Sequence, residues 1–144
     1  MSRRQGGLRR QGLQPRRKAR SRSSAFQHAD RRGGDERWAF TPAGEDATEL
    51  FQFICEMARL TWAEIERQQT GGRDRHRKHH DQEVDSICPE AKADFDRCKL
   101  GERFGETLFR FRLSGEKRLW GFRVGTTFHV IWWDPGHEVC PVDR

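Results

Sequence analysis

Residues 107–134 read TLFRFRLSGEKRLWGFRVGTTFHVIWWD, and this stretch shows the clearest pattern in the chain. Apolar and polar residues alternate in three runs, and side chains along a strand point to opposite faces with a period of two. Two short glycine-containing segments separate the runs, as in the tight turns of β-hairpins. The stretch therefore predicts three antiparallel strands joined by two hairpin turns.

The two turns determine which side chains share a face of the predicted sheet. A four-residue turn at 114–117 would place Phe111 opposite Trp120, and a three-residue turn at 125–127 would follow. One face would then be apolar, formed by Phe109, Phe111, Leu113, Trp120, Phe122, Phe128, Val130 and Trp132. The other face would carry Arg110, Arg112, Arg123, His129 and Trp133. A two-residue second turn would instead shift the register by one residue and point His129 to the core.

The arginine-bearing face predicts contact with phosphate, because the guanidinium group donates paired hydrogen bonds to phosphate oxygens. Lys117 in the first turn is a further candidate contact, and Trp133 could stack on a base. The predicted nucleic-acid contacts on the sheet are therefore Arg110, Arg112, Lys117 and Trp133. A solvated face without a ligand is the alternative, since antiparallel sheets often leave one face in water.

Charge divides the chain into two parts. Residues 1–37 hold twelve lysines and arginines against three acidic residues, a net charge of +9. The whole chain carries +6, which leaves −3 for residues 38–144. Residues 1–37 have too little apolar surface to offset the entropy of ordering, so they are predicted to be a disordered, arginine-rich tail. The tail could bind nucleic acid regardless of sequence, or it could be a solvated tail or translated sequence upstream of the true start.

Helical periodicity appears at 45–60, where apolar residues recur every three or four positions. Thr61 and Glu64 form a capping-box pattern that begins a second helix, ending near residue 69. Residues 38–40 suggest a short strand, and residues 90–100 suggest a short helix. The order predicts one α+β domain, residues 38–144, in which an N-terminal helical hairpin packs on one face of a small antiparallel sheet.

Residues 70–83 contain no apolar side chain and predict an exposed loop. Arg75, Arg77 and Lys78 in this loop are candidate contacts to RNA phosphates. His76 and His80 have the spacing of helical metal ligands, but the surrounding glycines and charges disfavour a helix. The four cysteines are far apart and form no CxxC pair, so neither a metal site nor another cofactor is predicted.

The chain contains no long apolar segment, so neither a secretory signal nor a membrane-spanning helix is predicted. Without a secretion signal, reduced cysteines and a cytoplasmic protein are expected. No membrane partner is expected.

Residues 118–123, RLWGFR, and residues 128–135, FHVIWWDP, resemble strands of the RelE/ParE superfamily of small toxins from toxin–antitoxin systems. The likeness covers roughly residues 45–142 and implies a helical hairpin packed on an antiparallel sheet. The ending at 133–138, WDPGHE, is also similar to that of uncharacterised bacterial and phage proteins.

Ribonucleases of this superfamily make the 2′-hydroxyl of RNA attack the adjacent phosphate, which requires cations, a base and an acid. By position, the resemblance implies that Arg118 or Arg123 stabilises the phosphate and that His129 or His137 transfers protons. RNA or the ribosome would be the target, and an acidic antitoxin would cover the arginine face. The chain has no tyrosine, which excludes the tyrosine-dependent form of the mechanism.

Gyrase-directed members of the superfamily share the fold without nuclease activity, so fold does not fix function. The alternative function is a non-catalytic nucleic-acid-binding or accessory protein of phage or mobile-element origin, indicated by the basic tail and the missing tyrosine.

Overall fold

The computed structural model describes residues 23–71 and 75–141 and shows an α+β fold with five strands and four helices. The strands are β1 (Ala25–His28), β2 (His80–Glu83), β3 (Thr107–Arg112), β4 (Arg118–Val124) and β5 (Thr127–Asp134). The helices are α1 (Glu45–Ala58), α2 (Trp62–Glu66), α3 (Pro89–Arg97) and α4 (Leu100–Phe104). The sheet order is β1-β5-β4-β3-β2, with β1 parallel to β5 and every other pair antiparallel.

The α+β prediction is confirmed, and the three strands predicted within residues 107–134 are present as β3, β4 and β5. The sheet is mixed, however, and it has two further strands at its edges. Residues 80–83 form β2 and not part of an exposed loop. Residues 36–38 form one turn of 3-10 helix where a strand at 38–40 was predicted.

The strand β1 lies inside the segment that was predicted to be a disordered tail, and that prediction is wrong for these residues. Ala25 pairs with Thr127 at the start of β5. Ser24 fixes the approach to β1, because its amide donates to the carbonyl of Leu60 at 2.8 Å and its hydroxyl donates to that of Met57 at 2.6 Å. Residues 1–22 of the predicted tail lie outside the described residues.

Both hairpin turns differ from the favoured prediction. The first turn has three residues, 114–116, and the Leu113 amide donates to the Lys117 carbonyl across it. Phe111 therefore lies opposite Leu119, not Trp120. The second turn has two central residues, 125 and 126, and Val124 pairs with Thr127 across it. Gly125 has φ 60°, a left-handed conformation that such turns require.

The pairing between β4 and β5 also shifts within the strands. Trp120 lies opposite Trp132, whereas Gly121 lies opposite Val130, so Ile131 is the extra residue of a β-bulge. The bulge and the two short turns redistribute the aromatic residues. Trp120, Phe122 and Trp132 pack on one face of the sheet, and Phe109, Phe111 and Phe128 pack on the other.

Helices therefore cover both faces of the sheet. One face of the sheet, which we call the α1–α2 face, packs against Leu50, Met57, Trp62 and Ile65 of these helices. The opposite face, which we call the α3–α4 face, packs against Ala91, Phe95 and Leu100. The prediction of one open face that carries arginines and His129 is wrong, and so is the alternative of a solvated face, because both faces of the sheet belong to the core.

The helical pair α1–α2 was predicted from the sequence, and both helices end earlier than expected. The capping box at Thr61 is confirmed, with the Glu64 amide donating to the Thr61 hydroxyl at 3.2 Å and the Thr61 amide donating to the Glu64 carboxylate at 3.3 Å. The short helix predicted at 90–100 is present as α3 but ends at Arg97, and a further helix that was not predicted, α4, begins after Lys99, whose φ is 52°.

A buried carboxylate joins the α3–α4 face to the segment that follows β1. Asp94 Oδ2 accepts hydrogen bonds from Arg31 Nη2 at 2.7 Å and from Trp132 Nε1 at 2.7 Å. Its Oδ1 accepts from the Asp35 amide at 2.5 Å. Asp94 thus fixes residues 31–35 against α3 and β5.

Across residues 23–71 and 75–141, no helix is long and apolar enough to span a membrane.

Candidate functional site

The four predicted catalytic residues lie at two opposite ends of β4 and β5. Arg118 begins β4, and His137 lies three residues after β5 ends. Arg123 and His129 lie at the other end, near the β4–β5 turn, where Arg123 pairs with Phe128 and His129 pairs with Phe122. Arg118 and Arg123 are five positions apart along β4, a distance of about 16 Å. The four residues therefore do not form one site.

Arg123 and His129 are neighbours along the ladder but point to opposite faces of the sheet. Arg123 lies 4.6 Å from the Trp62 ring centroid and forms an ion pair with Glu66 on the α1–α2 face. The His129 ring packs 5.0 Å from that of Phe104 on the α3–α4 face. The favoured prediction that placed His129 beside Arg123 on one face is therefore wrong, and the two-residue turn agrees with the alternative that points His129 to the core.

Arg118 and His137 share the other end of the sheet. Arg118 is buried and donates to the carbonyls of Gly115 and Lys117 at 2.8 and 3.0 Å. Across the ladder it faces Asp134, whose carboxylate accepts hydrogen bonds from the amides of Glu138 and Val139. These two bonds fix the loop that contains His137. Arg118 and His137 are the only two of the four that remain candidates for a common site.

Three of the predicted nucleic-acid contacts on the strands are engaged within the fold. Arg110 is buried on β3, and its Nη2 lies 2.9 Å from His80 Nε2. Trp133 is buried in the α1–α2 face, so it presents no ring for base stacking. Lys117 is partly exposed but forms ion pairs with two carboxylates, at 3.0 and 2.5 Å.

The Lys117 cluster is a local ion-pair network at the first hairpin. Its partners are Asp46 and Glu49, both on α1. Hydrogen bonds to Glu49 and Asp46 raise the pKa of Lys117, and those that Lys117 and Ser114 donate lower the pKa of Glu49. The cluster anchors the β3–β4 turn to α1 and leaves little unpaired positive charge for a phosphate.

Residues 68–70 pair with residues 76–78 in antiparallel fashion, and we call the described residues 68–71 and 75–78 the basic hairpin. The Lys78 amide donates to the Gln68 carbonyl at 2.8 Å, and the Thr70 amide donates to the His76 carbonyl at 2.8 Å. Gln69 and Arg77 form an antiparallel bridge between these bonds. The segment predicted to be an exposed loop therefore contains paired backbone at Thr70 and at residues 76–78.

His79 anchors the basic hairpin to the core. Its Nδ1 accepts a hydrogen bond from the Arg112 amide at 2.9 Å, so the ring proton lies on Nε2 and is donated to Gln68 Oε1 at 2.8 Å. Burial, with neighbouring cations, lowers its pKa to about 3, and the ring is neutral near pH 7. The sequence offered no signal for this role, because His79 lies in a run without apolar residues.

The basic hairpin presents its cations to solvent. Arg75 and Arg77 are exposed, and neither forms an ion pair within residues 23–71 and 75–141. Lys78 is half-buried and lines a cleft of about 260 Å³ together with Arg112, Phe53 and Glu56. Carboxylates in the cleft offset its two cations, so Arg75 and Arg77 are the stronger candidates for binding an anion.

Among the described parts of the chain, no group of three or more histidine, cysteine or carboxylate residues could hold a metal ion. No protein-family model matches the chain, and neither a curated protein nor a solved structure was found to match it. Function is therefore inferred from the geometry of the side chains.

Proposed function

We propose that this protein binds nucleic acid without cleaving it and contacts the phosphate backbone through the basic hairpin. The observation that carries the proposal is the exposure of Arg75 and Arg77 on a hairpin that buried His79 holds in place. An arginine on a backbone that is already ordered loses less conformational entropy when it binds a phosphate. The hairpin thus combines exposed positive charge with a fixed backbone.

The N-terminal sequence supplies a second source of positive charge. Residues 1–22 contain nine lysines and arginines and no acidic residue. Charge of this density favours binding to phosphates of any sequence and gives affinity that falls as salt is added. The basic hairpin would then be the contact that the folded domain itself makes.

The proposal expects little sequence specificity. Base recognition by single-strand binders depends on aromatic rings that stack on bases. In the described part of the chain, Phe51 on α1 is the one phenylalanine or tryptophan that is largely exposed. Contacts through Arg75, Arg77 and the N-terminal cations therefore reach the phosphates more than the bases.

The test is to measure the affinity of the full chain for a single-stranded RNA and a DNA duplex by fluorescence anisotropy. The variant Arg75→Gln with Arg77→Gln removes the two exposed cations. The control is Arg59→Gln with Lys92→Gln, which removes the same charge from exposed positions directly after α1 and on α3. Loss of two phosphate contacts should weaken binding about tenfold or more near ~0.1 M salt. Equal affinity for the two variants would contradict the proposal.

The tail requires a separate deletion. Removing residues 1–37 would also remove β1 and the Ser24 hydrogen bonds, so loss of binding could reflect misfolding. Removing only residues 1–22 preserves every described contact. We expect this shorter deletion to weaken binding and to leave the unfolding temperature within a few degrees of the full chain.

A RelE/ParE-like endoribonuclease is the second candidate function. The observation in its favour is that Arg118 and the loop carrying His137 meet at Asp134, which could place a cation and a proton donor near one phosphate. Expression should then arrest growth and cleave messenger RNA on translating ribosomes. Replacing His137 by glutamine should abolish both effects, whereas the same change at exposed His76 should not.

This second function also expects an acidic antitoxin as partner. A small acidic protein encoded beside this gene should co-purify with the chain and prevent growth arrest. If expression neither slows growth nor cuts RNA, the enzymatic candidate fails and the binding proposal is unaffected.

A further inference from the structure

A second group of cations surrounds a pocket at the turn between α3 and α4, which we call the α3–α4 pocket. Its volume is about 530 Å³, within the usual range for small-ligand sites. The charged lining residues are Asp30, Arg32, Arg97, Lys99, Glu102 and Arg103. Its cations come from the segment after β1 and from the two helix ends, which are distant in sequence.

The lining carries four cations and two carboxylates, and is therefore locally positive. The four charged lining residues within 38–144 are Arg97, Lys99, Glu102 and Arg103, three cations and one carboxylate, whereas residues 38–144 as a whole carry −3. One of the carboxylates, Asp30, pairs with Arg32 at 3.2 Å, but both side chains are largely exposed. An exposed pair of this kind contributes little energy, so Arg32 can turn to an anion at small cost.

The fold holds the two sides of the pocket together. Arg31, the neighbour of Arg32, binds the buried carboxylate of Asp94 on α3. Arg103 Nη1 donates to the Asp30 carbonyl at 2.6 Å, and its guanidinium carbon lies 5.0 Å from the Phe104 ring centroid. These contacts fix the segment that carries Arg32 and limit the positions that Arg103 can adopt before any ligand arrives.

The chemistry of the lining selects among ligands. Arginine forks match the oxygens of a phosphate, and an excess of two positive charges matches a phosphate dianion. Cys98 also lines the pocket, where burial raises the pKa of its thiol, so a reactive thiolate is disfavoured. The pocket is thus suited to binding an anion rather than to nucleophilic chemistry.

We infer that the α3–α4 pocket binds the phosphate group of a ligand and that it acts separately from the basic hairpin. The two surfaces lie on opposite sides of the sheet, because α3 and α4 pack on one face and the basic hairpin continues from α2 on the other. The source of the phosphate is either a small phosphorylated molecule or a nucleic-acid backbone.

The test uses the full chain, with pyrophosphate and a single-stranded oligonucleotide lacking terminal phosphates as the two probes. The variant Arg32→Gln with Lys99→Gln removes two exposed lining charges without removing a buried contact. The control is again Arg59→Gln with Lys92→Gln. Isothermal titration should show saturable pyrophosphate binding that is at least tenfold weaker in the pocket variant and within twofold of wild type in the control.

The oligonucleotide distinguishes the two sources. A pocket variant that loses affinity for pyrophosphate but keeps its affinity for the oligonucleotide indicates a small phosphorylated ligand. Loss of affinity for both probes indicates that the pocket binds the nucleic-acid backbone. The inference is overturned if pyrophosphate does not saturate at millimolar concentrations, or if the pocket variant binds it as well as the control. The Arg75→Gln, Arg77→Gln variant should retain pyrophosphate binding, which separates this result from the proposed function.

Discussion

Replacing Asp94 by asparagine should destabilise the fold more than any other single change of similar size on α3. The carboxylate is fully buried, and both of its oxygens accept hydrogen bonds. Oδ2 faces Arg31 and Trp132, whereas Oδ1 faces the Asp35 amide. An asparagine has one acceptor oxygen, so its amino group must face donors on one of the two sides.

The magnitude follows from the charge that remains. The Arg31 side chain is only 7% exposed, and its guanidinium would lose its buried counter-ion. Breaking a buried pair by removing one partner costs about 3–5 kcal/mol. For a domain of this size, each kcal/mol lowers the unfolding temperature by about 3–4 °C. We therefore expect the unfolding temperature to fall by about 10 °C or more.

The assay is thermal unfolding followed by circular dichroism, with urea unfolding as a second measure of stability. The matched control is Asp96→Asn, which makes the same change at an exposed position two residues away. A loss below about 1 kcal/mol for Asp94→Asn, or a loss equal to that of the control, would refute the role assigned to Asp94.

Three further changes test other parts of the structure. Because the pKa of His79 is about 3 in the fold and 6.5 otherwise, the unfolded chain binds more protons below pH 6.5. Stability should fall by up to about 1.4 kcal/mol per pH unit from pH 6.5 toward pH 3, and this dependence should be weaker in His79→Gln than in His76→Gln. Gly121→Ala would place a methyl group against a backbone carbonyl and should cost about 3 kcal/mol or more, whereas Gly71→Ala meets open space and should cost far less in urea unfolding. Thr61→Ala should lose about 1 kcal/mol of stability by removing the capping box, and a thermal melt matching wild type would contradict this.

The strands of the C-terminal half could be predicted because their alternation is strong, but their register could not. In β5, residues 128–133 include Phe128, Val130, Ile131, Trp132 and Trp133, with one polar residue among them. A nearly continuous apolar run is typical of a strand buried on both faces. Both the three-residue and the two-residue turn would bury large side chains of β5. The burial of apolar residues therefore could not determine the length of the turn.

The edge strands were missed for a different reason. The sequence of β2, HDQE, has no apolar residue, and β1 is four residues long. β1 pairs in parallel with the last strand, about a hundred residues away. The residue pattern within β1 alone does not indicate a contact at such a distance in sequence. The error at β1 also moved the predicted domain boundary, because basic residues near the N-terminus suggested a tail that extended to residue 37.

The candidate site was predictable only where exposure followed from polarity. Arg75 and Arg77 were identified as candidate contacts, and they are exposed. Arg110 and Trp133 were assigned to one open face, but helices cover both faces of the sheet and both residues are buried. The anchoring role of His79 depends on partners that meet only in the folded chain.

The salt dependence of RNA binding tests the central claim most directly. The logarithm of the association constant for a single-stranded RNA would be measured against the logarithm of salt concentration for wild type and for Arg75→Gln with Arg77→Gln. Each phosphate contact to a single strand contributes about −0.7 to the slope. The variant slope should therefore be shallower by about 1.4, with the Arg59→Gln, Lys92→Gln control unchanged. Identical slopes and affinities for the hairpin variant and wild type would contradict the claim that the basic hairpin binds the nucleic-acid backbone.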